Sequence, residues 1–177
     1  ACLRGADLTG SDLTGAYLID TDLRFACLRS AYLIGSDLRN TDLIDTDLRF
    51  ACLRGADLTG SDLRNTDLRN TDLRFAYLRG ADLTGSDLRF AELTGAGENK
   101  ITIKKATVFT GLYDYLVLPI IDENNIKWVK MGCFLRTVED WDKNFWNNDK
   151  KFPNDGSIKS KSRLFAYETA KKWFDII

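Results

Sequence analysis

Histidine is absent from the 177 residues of this chain. That removes the side chain most used as a general base near neutral pH, and with it the commonest zinc ligand. Cysteine occurs four times, at Cys2, Cys27, Cys52 and Cys133, too few and too scattered for a disulfide framework. Free thiols in a reducing, cytoplasmic setting are the expectation. No apolar run approaches the ~20 residues that span a bilayer, and no signal-peptide pattern opens the chain, so no membrane association is expected. Charge of one sign is lacking too. The 25 basic and 26 acidic residues leave a net charge of −1, which offers no general pull toward nucleic acid.

What the chain does have is one phrase said many times. From Ala1 to Gly95 it divides without a gap into nineteen pentapeptides. Position 3 is always Leu, and position 1 is always Ala, Ser or Thr. Position 2 is Asp twelve times, position 4 is Arg eleven times, and position 5 is Gly, Asn or Asp in fourteen of nineteen. Five matches neither the 3.6-residue period of a helix nor the 2-residue period of a strand. Positions 1 and 3 are two apart, so in an extended segment both point inward, with position 2 outward. Position 5 favours residues that accept positive φ, the mark of a tight turn of type II. A short strand followed by a corner, repeated, makes the chain coil on itself, pair each coil with the next, and stack Leu on Leu.

The phrases "ADLTG", "SDLRN" and "TDLRF" resemble the A(D/N)LXX repeat of the pentapeptide-repeat family. The resemblance covers residues 1–95. It implies a right-handed quadrilateral β-helix with twenty residues per coil, a mainly β fold in which Leu3, Leu23, Leu43, Leu63 and Leu83 form one core ladder. Coils ~4.8 Å apart would make a rod roughly 20–25 Å long.

Phe25, Phe50, Phe75 and Phe90 interrupt the turn position. Because a bulky residue resists positive φ, a different turn is expected at those corners. The first three fall 25 residues apart, as do Cys2, Cys27 and Cys52. A 25-residue block on a 20-residue coil advances one face per block, so these residues should spiral and not line up as a stripe.

The candidate interaction surface is a pair of charged ladders. One face carries Asp22, Asp42, Asp62 and Asp82, with Asp45 beside them. The next carries Arg29, Arg49, Arg69 and Arg89, with Asp47, Asp67 and Asp87. Like charges ~5 Å apart need screening by water or by the opposite ladder. The family includes topoisomerase-protecting quinolone-resistance proteins thought to imitate duplex DNA, which makes DNA mimicry the alternative function. Residues 1–95 hold fifteen acids and eleven Arg, a net of −4. A DNA imitation of this length would want well over about ten. The outward, parallel carboxylates do not converge as a metal site requires. No metal, no cofactor and no direct nucleic-acid partner is expected.

The phrase stops near residue 97, and the composition changes with it. Residues 98–177 hold eleven acids, fourteen bases and all four Trp. "KITIKKATVF" and "YLVLPIIDENNIKWVKM" read as strands with a hairpin turn at Asp122–Asn125, and Pro119 points to an edge or a bulge. Thr137 is the expected N-cap of a helix that places Val138, Trp141 and Phe145 on one face. A last helix, from Lys161 to Ile176, should bury Ala166, Ala170, Trp173 and Phe174. This α+β unit, 98–177 beside a rod of 1–97, also resembles a C-terminal extension of some bacterial and phage pentapeptide-repeat proteins. It would cap the open coil end.

Catalysis is not expected. Cys133 has no His to activate it and reads as a core thiol, while Glu139, Asp140 and Asp142 suit the N-terminal turn of a helix. "TGLYDY" cannot cradle phosphate with its single Gly. The four Trp and the aromatics around them read mostly as core, with Trp146, beside Asn147 and Asn148, the one placed to reach the surface. The reading is a rigid, non-catalytic structural or protein-interaction module with a protein partner. A small enzyme in the C-terminal unit is the third possibility. The chain starts at Ala1, not Met, as a fragment, trimmed product or engineered copy would. Its bare first coil leads us to expect an end-to-end homodimer.

Overall fold

A computed structural model describes residues 1–94, 100–109, 117–131, 134–144 and 157–177. Through residue 94 the chain is a stack of coils of twenty residues. Parallel bridges join Cys2 to Asp22, Asp22 to Asp42, Asp42 to Asp62 and Asp62 to Asp82, and three further columns repeat the step. Each phrase is locked the same way. Leu23 N–H donates to Asp42 O at 2.8 Å, Phe25 N–H to Ile44 O at 3.1 Å, and Asp42 N–H to Thr21 O at 3.0 Å. The corner closes with Ala26 N–H on Leu23 O at 3.1 Å.

Every described residue at position 5 has positive φ, from 52° at Asp20 to 75° at Gly85, whereas no position-4 residue does. That combination is the type II turn. The expectation of a different turn at the phenylalanines is wrong: Phe25, Phe50, Phe75 and Phe90 have φ of 60°, 60°, 61° and 63°. Coil stacking imposes the geometry. A corner of another shape would break the three bonds that each phrase makes to the next coil, and together these outweigh the ~1–2 kcal/mol cost of a left-handed bulky residue.

The leucines fill the axis. Leu23, Leu43, Leu63 and Leu83 have at most 1% of their surface exposed, and Leu3, in the first coil, is only half-buried. Position 1 also points inward, and most of its hydroxyls find carbonyls there, Ser11 being the exception. Thr46 Oγ1 donates to Leu23 O at 2.9 Å and Thr66 Oγ1 to Leu43 O at 2.8 Å. Buried hydroxyls satisfied this way carry little desolvation penalty.

Beyond the rod come β1 (Glu92–Thr94), β2 (Lys100–Ala106), β3 (Val117–Asp122), β4 (Lys127–Met131), β5 (Phe134–Thr137), α1 (Val138–Asn144) and α2 (Ile158–Trp173). They form a five-stranded sheet in the order β1-β2-β3-β4-β5, antiparallel throughout. β1 belongs to both parts of the molecule. Glu92 bridges Asp72 of the coil below and pairs with Thr102 of β2 on its other side. The sheet is covered on both faces at β3 and β4, while Lys100, Lys104 and Lys105 of β2 stay exposed. Ile101, Ile103, Leu118, Ile120 and Leu135 continue the leucine core of the rod. On the opposite face Val117, Val129 and Met131 pack with Trp141, Ala166, Tyr167, Ala170 and Phe174 of the helices.

Pro119 does not mark an edge, because β3 lies between β2 and β4. Its missing donor faces β2 where that strand has ended. Thr107 N–H still reaches Pro119 O at 3.3 Å, but Pro119 returns no bond. The hairpin turn at Asp122–Asn125 forms as expected.

Thr137 caps α1, accepting Asp140 N–H at 3.0 Å, and Trp141 is fully buried. Phe145, Cys133, Trp146 and the "TGLYDY" segment lie outside the described residues. α2 starts three residues earlier than expected, capped by Ser157, and ends at Trp173. Trp173 is only half-buried, while Tyr167 is buried instead. The buried stripe of α2 includes Ser160 and Arg163, which an apolar pattern does not reveal.

Candidate interaction surface

The outward residues of the rod are mostly engaged with one another. Each of the twelve Asp residues at position 2 accepts the backbone N–H of position 4 in its own phrase, from 2.9 Å at Thr84 to 3.3 Å at Arg39 and Ile44. The position-4 amide is the one that inter-coil pairing leaves over, because those of positions 2, 3 and 5 bond to neighbouring coils and that of position 1 closes the turn. Asp at position 2 is therefore a backbone-capping residue, like the side chain of an Asx turn.

Where Arg stands at position 4, it closes a fork on the same carboxylate. Arg24 donates to Asp22 through Nε at 2.9 Å and Nη2 at 2.7 Å. Matching forks join Arg39 to Asp37, Arg49 to Asp47, Arg64 to Asp62, Arg69 to Asp67, Arg74 to Asp72 and Arg89 to Asp87. The forks also link coils. Arg24 Nε lies 3.2 Å from Asp42, Arg49 Nε 3.5 Å from Asp67 and Arg69 Nε 3.6 Å from Asp87. On another column the chain of charges runs off the rod, from Asp72 through Arg74 and Glu92 to Lys100 of β2.

The two candidate ladders are thus placed as columns. Asp22, Asp42, Asp62 and Asp82 stack, with Asp82 held by the Thr84 hydroxyl at 2.6 Å. Arg49, Arg69 and Arg89 stack beside Asp47, Asp67 and Asp87. Compensation comes chiefly from within the phrase and not from a neighbouring ladder, because residues two apart in an extended segment share a side. Arg29 departs from its set. Its phrase has Cys27 in place of Asp, and its guanidinium lies 5.9 Å from the Phe50 ring. Arg4 over Phe25 at 5.1 Å and Arg54 over Phe75 at 5.5 Å do the same. Each of these Arg residues stands in a Cys phrase, so the 25-residue super-repeat winds cation–π pairs around three successive columns.

The forks control ionisation. The Arg24 hydrogen bonds hold the Asp22 carboxyl down at about 2, against an ordinary value of 3.8. Asp37, Asp47, Asp62, Asp67, Asp72 and Asp87 are lowered for the same first reason, the bond from their own Arg. A carboxylate depressed in the folded state contributes stability above its unfolded pKa, and that stability is lost as pH falls through the folded value. The rod is therefore expected to keep its β circular-dichroism signal at pH 4 and to lose stability between about 4 and 2. Unfolding midpoints measured across that window check it; an unchanged midpoint at pH 2 would contradict the role of the forks.

Asp47 gives a second test. Asp47→Asn keeps an oxygen for the Arg49 amide and removes the charge, whereas Asp47→Ala removes both. Alanine is expected to cost ~1 kcal/mol and asparagine less than half of that, measured by denaturant unfolding.

In the C-terminal unit the clustered side chains are structural. The Tyr167 hydroxyl lies 3.1 Å from Val138 O and 2.9 Å from the Asp142 carboxylate, while Lys171 reaches the same carboxylate at 2.8 Å. Burial raises the Tyr167 hydroxyl, and the Asp142 bond raises it further. No group of metal-ligating side chains gathers among the described residues, and no described helix is long and apolar enough to cross a membrane.

With twenty-residue stepping and the phrase-by-phrase geometry established, the family follows. The model for pentapeptide repeats matches residues 1–40, 22–60 and 61–96, in eight copies. The chain belongs to the pentapeptide-repeat family. Solved relatives include a pentapeptide-repeat protein from the thylakoid lumen of Arabidopsis thaliana, 33% identical over 52% of this chain and 68% of that one, with a TM-score of 0.42. HetL, involved in heterocyst differentiation regulation in the cyanobacterium Nostoc, is 24% identical over 56% of this chain and 64% of its own, with a TM-score of 0.33. A trypsin-treated form of QnrB1, a plasmid-mediated fluoroquinolone resistance protein, is 21% identical over 49% of this chain and 59% of its own, with a TM-score of 0.32. This chain therefore spans less than two thirds of HetL and QnrB1. No curated protein sequence matches it.

Proposed function

We propose that this pentapeptide-repeat chain is a right-handed, quadrilateral rod serving as a rigid, non-catalytic structural and protein-binding module of the reducing cytoplasm, closed at one end by its C-terminal unit. One observation carries the reading. All twelve position-2 carboxylates are spent on the backbone of their own phrases, and seven are also forked by Arg. Their chemistry goes into holding the surface still. A surface of fixed side chains spaced by stacked coils loses little conformational freedom on association, which favours recognition by shape.

Affinity capture from a cognate lysate with the whole chain tests this reading. A variant with Asp62, Arg64, Asp82 and Thr84 replaced by alanine serves as the surface control. A reproducible protein partner whose capture weakens with the variant is the expected result, and no partner above background would overturn the proposal.

Arg pairing also argues against DNA mimicry. Along the column of Asp47, Asp67 and Asp87, each carboxylate meets a guanidinium at 2.5–2.6 Å, so little uncompensated charge is displayed. Supercoiling by a bacterial type II topoisomerase is expected to be unchanged at high micromolar concentrations of the chain; inhibition or protection there would reinstate mimicry.

A further inference from the structure

Three phrases carry cysteine at position 2, where twelve carry aspartate, and each keeps its Arg: Cys2 with Arg4, Cys27 with Arg29 and Cys52 with Arg54. In an Asp–Arg phrase the position-4 amide and the Arg Nε and Nη2 all donate to the carboxylate. In the cysteine phrases those donors meet no acceptor among the described residues. The guanidinium lies instead toward a ring of the next coil, Phe25, Phe50 or Phe75. The rod contains its own comparison. Arg69 has the same 21-residue spacing from Phe90 that Arg4 has from Phe25. There Asp67 stands at position 2, and Arg69 bonds to it at 2.9 and 2.6 Å and does not stack on Phe90. An acid at position 2 therefore decides for the fork over the ring.

Each cysteine phrase is thus a carboxylate site that lacks its carboxylate. The thiols are accessible, Cys2 being exposed and Cys27 and Cys52 half-buried. Cys27 Sγ lies 3.1 Å from Thr9 Oγ1, and Cys52 Sγ lies 3.9 Å from Asp72 Oδ2. Carboxylates adjoin all three. Asp22, Asp47 and Asp72 stand in the next coil, closed in forks by Arg24, Arg49 and Arg74. Asp7, in the coil before Cys27, is engaged by the amide and hydroxyl of Thr9. Such neighbours do not forbid another acid, because Asp67 stands between Asp47 and Asp87 and is held by its own Arg. Nor does a fork withdraw its Arg from the next coil, since Arg24 still lies 3.2 Å from Asp42.

We propose that Cys2, Cys27 and Cys52 are sites of oxidation to sulfinic acid by hydrogen peroxide, and that each sulfinate closes the open fork of its own phrase. In the first step sulfur attacks one peroxide oxygen and the O–O bond breaks. The departing hydroxide takes the thiol proton, leaving water and a sulfenic acid. A second peroxide repeats the step at the same sulfur, giving the sulfinic acid and a second water, with four electrons passed from sulfur to peroxide. The three thiols stand on three different columns, so no second thiol of the rod adjoins a sulfenic acid to divert it into a disulfide. The sulfinic acid releases its proton to water and then carries two anionic oxygens on one branch atom, as a carboxylate does. The position-4 amide and the guanidinium are already in place to receive them. Oxidation should therefore stabilise the rod.

The test uses the whole chain with Cys2→Ser and Cys52→Ser, which leaves Cys27 as the thiol of the rod, before and after excess hydrogen peroxide. The tryptic peptide Phe25–Arg29 should gain about 32 Da, the mass of two oxygens. The urea midpoint should rise by roughly 0.3 M, with Cys27→Ala treated in parallel to correct for oxidation at Met131 and Cys133. In proton–nitrogen spectra the Arg29 Nε–H signal should move downfield as it leaves the Phe50 ring for a charge-assisted bond. Cys27→Asp should reproduce the midpoint and the Arg29 shift without peroxide. Arg29→Ala should remove at least half of the gain in midpoint, measured against its own reduced form, because only the amide then remains to hold the sulfinate.

A Phe25–Arg29 peptide that stays at the thiol, or is recovered only as an intermolecular disulfide, overturns the proposal. So does a midpoint that is unchanged or lower in either the oxidised protein or Cys27→Asp. A gain that survives Arg29→Ala in full overturns it equally, since the fork would then play no part. Should Cys27→Asp misfold, Cys52→Asp with Arg54→Ala repeats the comparison in the next cysteine phrase.

Discussion

Replacing Leu48 with alanine is expected to destabilise the rod by about 3–5 kcal/mol, at the upper part of the range for buried leucines. Leu48 is fully buried, and its neighbours along the column are Leu28 and Leu68, both also fully buried. A cavity there has little means of closing. Collapse would require the coils on either side to move, and their backbones are bridged from Cys27 through Asp47 to Asp67 and Asp87. Thr71 Oγ1 also donates to Leu48 O at 3.0 Å, fixing the same corner from the coil beyond. Leu3→Ala should cost ~1 kcal/mol or less, because Leu3 is already half-exposed and belongs to the first coil. Urea unfolding of both variants measures the contrast. Equal losses would mean that the leucines do not form one stacked core, since in a chain of nearest-neighbour units an interior defect severs what a terminal one only frays.

Asp122→Ala is expected to cost about 3 kcal/mol, and to act on the C-terminal unit. Asp122 is 5% exposed, and its carboxylate accepts from Asn124 N–H at 2.9 Å, Ile126 N–H at 2.8 Å and Trp128 Nε1 at 3.0 Å. Hydrogen bonds to a charged group contribute ~1.5–3 kcal/mol each, with some compensation once water enters. The donors left behind include both backbone amides that shape the hairpin between β3 and β4. Asp122→Asn keeps one acceptor oxygen for the amides and should recover about half of the loss. Tryptophan fluorescence during denaturation follows the hairpin directly through Trp128. A variant with parental stability would show that the turn at Asn125, with φ of 62°, holds without its carboxylate.

The rod was legible because its repeat carries its own geometry. Leu at every fifth residue, small residues two before it and turn formers two after it leave one way to bury the leucines and pair the backbone. Position 2 was legible in pattern but not in purpose. Asp22 and Asp42 read as surface charge, whereas their oxygens accept the amides of Arg24 and Ile44. The regular D-x-[RTI] spacing held that information. Its meaning depends on knowing which backbone amide the stacked coils leave over. The phenylalanine corners failed for the opposite reason. Local preference argued against positive φ at Phe50, and pairing with the coils above and below prevailed.

In the C-terminal unit, strands, hairpin and caps followed from local signals, while partners did not. Pro119 pointed to an edge or a bulge; the β2–β3 register does shift between Ile103 and Lys105, but Pro119 lies in the middle strand, where the lapse in its ladder falls beyond the end of β2. Arg163 and Ser160 are buried on α2, which no apolar periodicity could announce.

By itself, the sequence determined the coil. A five-residue phrase with an inward leucine, repeated without interruption, specifies stacking whatever follows it, since each contact is with a near-identical neighbour. The tertiary structure alone decided which polar groups remain free to meet another molecule. Whether a carboxylate faces water, an amide or a guanidinium depends on coils twenty residues away, and on a sheet that continues the leucine core beyond the last of them.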